Sequence, residues 1–219
     1  FKLQAIFILP ILLIFYFYKK KFSLLNLLWI PVALEILCIP AIIGGCSWSS
    51  GFSKFFHLMG EYPFMFYYYP NVWTFFQDAP YHVFGTVAVC FTFIVLLIFA
   101  VLFTKCGKQY VLQDYIQYAA WTAMTCAMLL PCMHERYNYM AEMLLPISAV
   151  FDKKLRIPAL VLILTSMQCI GQQFLHWPKF SYYALATINI IVYLYFSAHC
   201  LCTLYKEYER KGGAAVCRS

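Results

Sequence analysis

The feature that most constrains this chain is the recurrence of apolar runs close to the length of a bilayer crossing. Seven segments, at about residues 3–18, 22–45, 82–104, 111–131, 137–151, 157–176 and 181–205, approach the ~20 residues a helix needs to cross hydrocarbon. Composition agrees, with 63% hydrophobic and 11% charged residues over 219 positions, against roughly 45–50% and about 25% in soluble domains. The reading is an all-α polytopic membrane protein of about seven transmembrane helices. The ten cysteines are scattered, mostly within apolar runs and without a C-x-x-C pair, so they read as small apolar fillers rather than a disulfide framework or zinc knuckle.

The net charge of +7 does not point to nucleic acid, because the basic residues sit at the ends of apolar runs. Counted on alternate sides, Lys and Arg number 12 on one face (positions 19, 20, 21, 105, 108, 153, 154, 156, 206, 210, 211 and 218) and 4 on the other (2, 54, 136 and 179). The positive-inside rule then predicts that "KKK", "KCGK", "DKKLR" and the C-terminus are cytoplasmic. Residue 1, the 46–81 loop, "CMHER" and "HWPKF" fall outside, with four of the five histidines (57, 82, 134 and 176) on or beside that face. No H-x-x-x-H or H-x-x-E spacing joins them, so a divalent metal is not the favoured expectation.

The 46–81 loop is crowded with aromatic residues, whose apolar bodies and polar edges favour a membrane–water interface. One or two short interfacial helices are expected there, broken at Pro63, Pro70 and Pro80. The loop forms either a structural collar or the wall of a groove for a lipid-linked substrate, where an exposed Tyr or Trp can stack on a sugar. Acidic residues in apolar runs cost about 2.5–3.5 kcal/mol on insertion scales. Glu35, Asp114 and Glu142 are therefore expected to pack against partners or line a path.

His134, Glu135 and Arg136 follow Pro131 and interrupt two apolar runs. Three consecutive polar side chains cannot share one face of a regular helix, so some must turn toward protein and some toward water. Either they form an ordinary outer turn, with Arg136 on helix-end carbonyls, or they form a phosphate site. The guanidinium fork suits phosphate oxygens, and an imidazole can hydrogen-bond or protonate a leaving oxygen. Glu135 would then hold one of the two in place.

Four stretches in order, "FKLQAIFILP", "YPNVW", "DAPY" and "LPCMHERY", resemble the C-terminal half of bacterial GT-C membrane glycosyltransferases related to the GPI-anchor mannosyltransferases. A more distant likeness joins Lys2-Leu3-Gln4-Ala5 and His134-Glu135-Arg136 to motifs of dolichyl-phosphate-glucose glucosyltransferases. The resemblance implies a partial GT-C fold in a multi-pass bacterial plasma-membrane protein. It also implies inverting transfer of a mannose-like hexose from a polyprenyl-phosphate donor to a lipid or glycan hydroxyl at the extracytoplasmic face. Lys2, Gln4, His134 and Arg136 would bind the donor phosphate. His134 and Glu135 are the candidate catalytic groups, and Tyr69, Asn71, Trp73 and Asp78 the candidates on the sugar or acceptor side.

No cofactor is firmly implied. The family's usual base, an Asp of the first outer loop, would lie upstream of Phe1, so these residues alone are expected to be inactive. Asp78 also suits an N-cap of the third membrane helix. The organisation expected is a transmembrane module over 1–211, including the 46–81 outer loop, and a cytoplasmic tail over 212–219. The rival class is a transporter or flippase of a lipid-linked or anionic solute, with Glu35, Glu142 and Arg136 on its path, although no internal repeat is apparent.

Overall fold

A computed structural model describes residues 7–19, 23–47, 63–106 and 110–216. Lys2, Gln4 and residues 48–62 of the aromatic loop lie outside the described residues. A helix overlaps each of the seven apolar segments: α1 (Leu9–Lys19), α2 (Trp29–Ile43), α3 (Tyr81–Cys106), α4 (Leu112–Leu129), α5 (Tyr139–Phe151), α6 (Arg156–Phe174) and α7 (Tyr182–Val216). Short 3₁₀ turns cover Leu24–Leu28, Val72–Phe76 and Lys153–Leu155. There is no strand among the described residues. The last helix runs through the 211/212 boundary where a tail was expected.

Among the described residues three helical stretches, not about seven, are long and apolar enough to cross a membrane: Tyr81–Cys106, Lys153–Phe174 and Tyr182–Glu209. The shortfall has physical reasons. The 13 residues of α5 rise only about 20 Å at 1.5 Å each, against about 30 Å of hydrocarbon. The α4 helix is 18 residues long but carries Gln113, Asp114, Gln117, Thr122 and Thr125, and its second half is buried by protein. A helix shielded from lipid on all sides does not need a lipid-like sequence.

The α4 helix is the centre of the bundle, in contact with α1, α3, α5 and α7, while α6 fills the space between α5 and α7. Small residues make this close approach possible: Gly85 and Ala88 on α3, Ala120, Ala123 and Ala127 on α4, and Ala141 and Ala149 on α5 are buried. That is the expected device where helices cannot be driven together by water. The opposite face of α3 exposes Phe91, Phe93, Ile94, Leu97 and Ile98, as a lipid-facing surface would. The α2 helix packs chiefly on the Leu24–Leu28 turn and leaves Trp29, Ile36 and Ile43 exposed.

The connections gather at two ends. At one end the α5–α6 corner meets α7: Asp152 caps the 3₁₀ turn through the Lys154 amide at 2.9 Å and pairs with His199 Nε2 at 2.8 Å. Asp114 Oδ2 accepts from the Val111 amide at 3.0 Å and so starts α4 at this same end. Nearby Phe103 stacks on Tyr110, whose hydroxyl donates to the Phe103 carbonyl at 2.6 Å. At the other end the 63–80 segment, the 130–138 turn and the 175–181 connection come together. Lys105, Lys153, Lys154 and Arg156 flank the first end, and Arg136 and Lys179 the second.

Candidate functional site

The second end is built on the C-terminus of α4, whose last carbonyls lack intrahelical donors. The loop supplies them. Asn71 Nδ2 donates to the Ala127 and Leu130 carbonyls at 3.2 and 3.1 Å, and Trp73 Nε1 donates to the Leu129 carbonyl at 2.6 Å. Asn71 Oδ1 in turn accepts from the Trp73 amide at 3.0 Å, starting the Val72–Phe76 turn in a capping box with Thr74. Two backbone bonds, Cys132 N–H to the Met65 carbonyl and Tyr69 N–H to the Met133 carbonyl, both 3.2 Å, lay the 65–69 segment along the 132–133 segment.

Tyr69, Asn71 and Trp73, the candidates on the sugar or acceptor side, are all buried. Asn71 and Trp73 are occupied in capping α4, and the Tyr69 hydroxyl donates to Met128 Sδ at 3.8 Å. Burial holds the Tyr69 phenol well above its ordinary pKa, with the nearby Glu142 and Cys169 groups adding to the effect. Asp78 is exposed in the turn before α3, where the Val83 and Phe84 amides donate to the Pro80 carbonyl. The proline-broken loop forms one short helical turn, Val72–Phe76, over its described part.

The 134–136 triplet divides as its spacing requires. Glu135 is buried at 3% exposure, while the Arg136 side chain is half exposed. Arg136 Nε lies 2.7 Å from Glu135 Oε1, an ion pair not aligned as a hydrogen bond, and the guanidinium carbon sits 5.7 Å over the Phe174 ring. His134 Nδ1 is 3.9 Å from the other oxygen of Glu135. Its ring meets Tyr67 edge-on at 4.3 Å and Tyr137 at 4.8 Å. The buried carboxylate thus stands between a cation and an imidazole that face the bundle end. Arg136 sits over Phe174. An anion approaching this end would meet a guanidinium already oriented by a carboxylate and an aromatic ring.

Beneath the turn lies a polar layer. Both side-chain amide atoms of the fully buried Asn138 and Oε1 of Glu142 complete no hydrogen bond among the described residues, although Asn138 and Ser166 lie within reach of the Glu142 carboxyl. Buried polar atoms left unpaired cost about 1–3 kcal/mol each. Glu142 therefore has a polar environment inside the α5–α6 interface. Glu35 lies on α2, apart from this layer.

Among the described residues three non-glycine positions adopt positive φ, and all belong to this end: Tyr68 at 64°, Cys132 at 58° and His176 at 55°. Each such conformation costs about 1–3 kcal/mol, and such residues cluster where a backbone must aim a side chain. The His176 conformation terminates α6, with the Leu175 and Trp177 amides both donating to the Gly171 carbonyl and the Trp177 ring folding back over Gly171. Burial raises the Cys132 thiol pKa, partly offset by a hydrogen bond with the Phe64 backbone.

Beside the 134–136 turn is a groove of about 420 Å³ between the 66–77 segment and the α6–α7 connection, lined among others by Phe66, Tyr68, Gln77, Gln172, Tyr182 and Tyr183. Sequence reading missed it, because its two parts, residues 66–77 and 172–183, are far apart in the chain. The available signal was the pairing of Gln172-Gln173 with Tyr182-Tyr183 at adjoining helix ends. Among the described residues no group of three or more His, Cys, Asp or Glu side chains is placed to hold a metal. No known protein family, characterised protein or solved structure matches the chain.

Proposed function

We propose that this chain is the transmembrane module of a membrane glycosyltransferase that moves a mannose-like hexose from a polyprenyl-phosphate donor to an acceptor hydroxyl. The observation that supports the reading most is the half-exposed Arg136, braced by the buried Glu135 and by Phe174, beside His134 at one end of an apolar bundle. In the reaction the acceptor oxygen attacks the anomeric carbon from the face opposite the phosphate. The bond from that carbon to the phosphate oxygen breaks, and its electron pair leaves on the lipid phosphate. Arg136 stabilises that charge and His134 hydrogen-bonds the departing oxygen, while Glu135 positions both. The acceptor proton passes to a carboxylate base, which the family resemblance assigns to a residue before Phe1. The same resemblance gives Lys2 and Gln4 a place around the phosphate. The basic end of the bundle faces the cytoplasm in this account, and the site faces the outer leaflet.

A transport path through Glu35, Glu142 and Arg136 has less support, since Glu142 lies in the α5–α6 interface and Glu35 on a helix packed chiefly against its own preceding turn. The test is transfer from a polyprenyl-phosphate hexose by the full-length protein in liposomes. Two charge-assisted bonds to the leaving group, at about 1.5–3 kcal/mol each, predict a loss of roughly 10²–10⁴-fold for His134→Ala with Arg136→Ala. Undiminished transfer by that double variant would overturn the assignment.

A further inference from the structure

We propose that the groove between the 66–77 segment and the α6–α7 connection is the glycan-acceptor site, a proposal that rests on the glycosyl-transfer reading and names where its second substrate binds. Its lining separates it from the other cavities. The cavity beside α3 and α7 includes Leu102, Leu201 and Leu204, and the one between α6 and α7 includes Ile157, Val161 and Ile188; both are suited to acyl chains. This groove has no branched aliphatic side chain and no carboxylate, and instead combines aromatic rings with amides, hydroxyls and one cation, Lys179, which can donate to a sugar hydroxyl and repels a second cation. An acyl chain would leave those polar groups unpaired, and a cation would find no counter-charge. A pyranose fits both features, because its C–H face lies on an aromatic ring and its hydroxyl edge hydrogen-bonds to amides and phenols. The volume lies within the range of small-molecule sites.

The groove is also held in shape before any ligand arrives. Gln77 Nε2 donates to the Tyr183 hydroxyl and Gln173 Nε2 to the Tyr182 hydroxyl, both at 2.9 Å, and Gln172 Oε1 accepts from the Phe180 amide at 3.0 Å. A phenol that accepts an amide proton keeps its own O–H to donate. Phe66 packs edge-on to Tyr182 at 5.3 Å, and the positive φ of Tyr68 turns its ring to the same side. The link to the donor side is short: Tyr68 contacts Tyr67 at 5.0 Å, and Tyr67 contacts His134 at 4.3 Å. An acceptor ring in the groove would therefore lie one aromatic residue away from the group assigned to the leaving phosphate.

The experiment uses the full-length protein in detergent, with saturation-transfer NMR against a panel of α- and β-linked hexose disaccharides, and glycerol as the non-saccharide control. The expected result is a disaccharide signal that falls at least tenfold in Tyr183→Ala and in Gln77→Ala. Both side chains are exposed, so an unchanged melting midpoint shows that the fold is kept; Tyr183→Phe tests the hydroxyl alone. No disaccharide signal in the wild type, or an equal signal in wild type and both variants, overturns the proposal. His134→Ala with Arg136→Ala separates the two readings. If that variant binds disaccharide normally but transfers nothing, both stand. If it transfers normally while Tyr183→Ala abolishes binding, the groove stands and the donor assignment falls. If Tyr183→Ala neither weakens binding nor slows transfer while the double variant is inactive, the groove falls and the donor site stands.

Discussion

Replacing Asn71 by alanine tests whether the residue holds the bundle end together or contacts substrate. The side chain is buried at 1% exposure, donates two hydrogen bonds to the carbonyls of Ala127 and Leu130, and accepts one from the Trp73 amide. Alanine leaves all three backbone groups without their partner in a place water reaches poorly. At about 1–1.5 kcal/mol per lost bond, and more for a group left buried and unpaired, the expected cost is about 3–4 kcal/mol. For a chain of this size 1 kcal/mol moves the melting midpoint by about 2–4 °C, so the midpoint should fall by roughly 6–16 °C. The assay is thermal unfolding in one detergent at one scan rate, followed by tryptophan emission. Asn71→Asp is expected to fall at least as far, because it keeps the acceptor for Trp73 but turns carboxylate oxygens toward two carbonyls. A midpoint within about 2 °C of wild type, combined with lost transfer, would refute this reasoning and return Asn71 to the sugar side.

Three further predictions follow from local geometry. A Cβ at Gly171 would overlap the Trp177 ring, so Gly171→Ala should displace that ring at a cost of about 1–2 kcal/mol; combined with Trp177→Ala it should add almost nothing, and additive losses would contradict the contact. Burial raises the Cys132 thiol pKa, so maleimide labelling mapped by mass spectrometry should be slower there than at the exposed Cys46, and the Cys132 rate should still be climbing as pH passes 9; a rate level by pH 8 would contradict it. Finally, cysteines introduced as Arg136→Cys and Lys153→Cys should be labelled from opposite sides of a sealed vesicle, and labelling from one side would break the proposed topology.

The helices were legible because each needs only a local signal. Apolar runs located all seven, and the charged residues between them marked the two ends. The number of spans was not legible in the same way. A run such as that of α4, with Asp114, Thr122 and Thr125, gives no indication of whether lipid or four neighbouring helices will surround it. The aromatic loop shows the limit most clearly. Its rings were read as interfacial, yet Asn71 and Trp73 are defined by carbonyls some 56 positions later in the chain. That demand arises only once α4 ends at Leu129. The 134–136 triplet was legible because three adjacent polar residues in an apolar context must divide between protein and solvent, and Glu135 and Arg136 do so. The groove was invisible because it requires the 66–77 segment to meet the α6–α7 connection.

The central claim is that Arg136 and His134 hold a lipid-linked phosphate, and binding tests it without depending on turnover. Polyprenyl monophosphate titrated into the full-length protein in nanodiscs should bind at least tenfold more weakly to Arg136→Ala, with partial recovery in Arg136→Lys, which restores the charge but not the fork. Equal affinity of wild type and Arg136→Ala for that lipid would contradict the account.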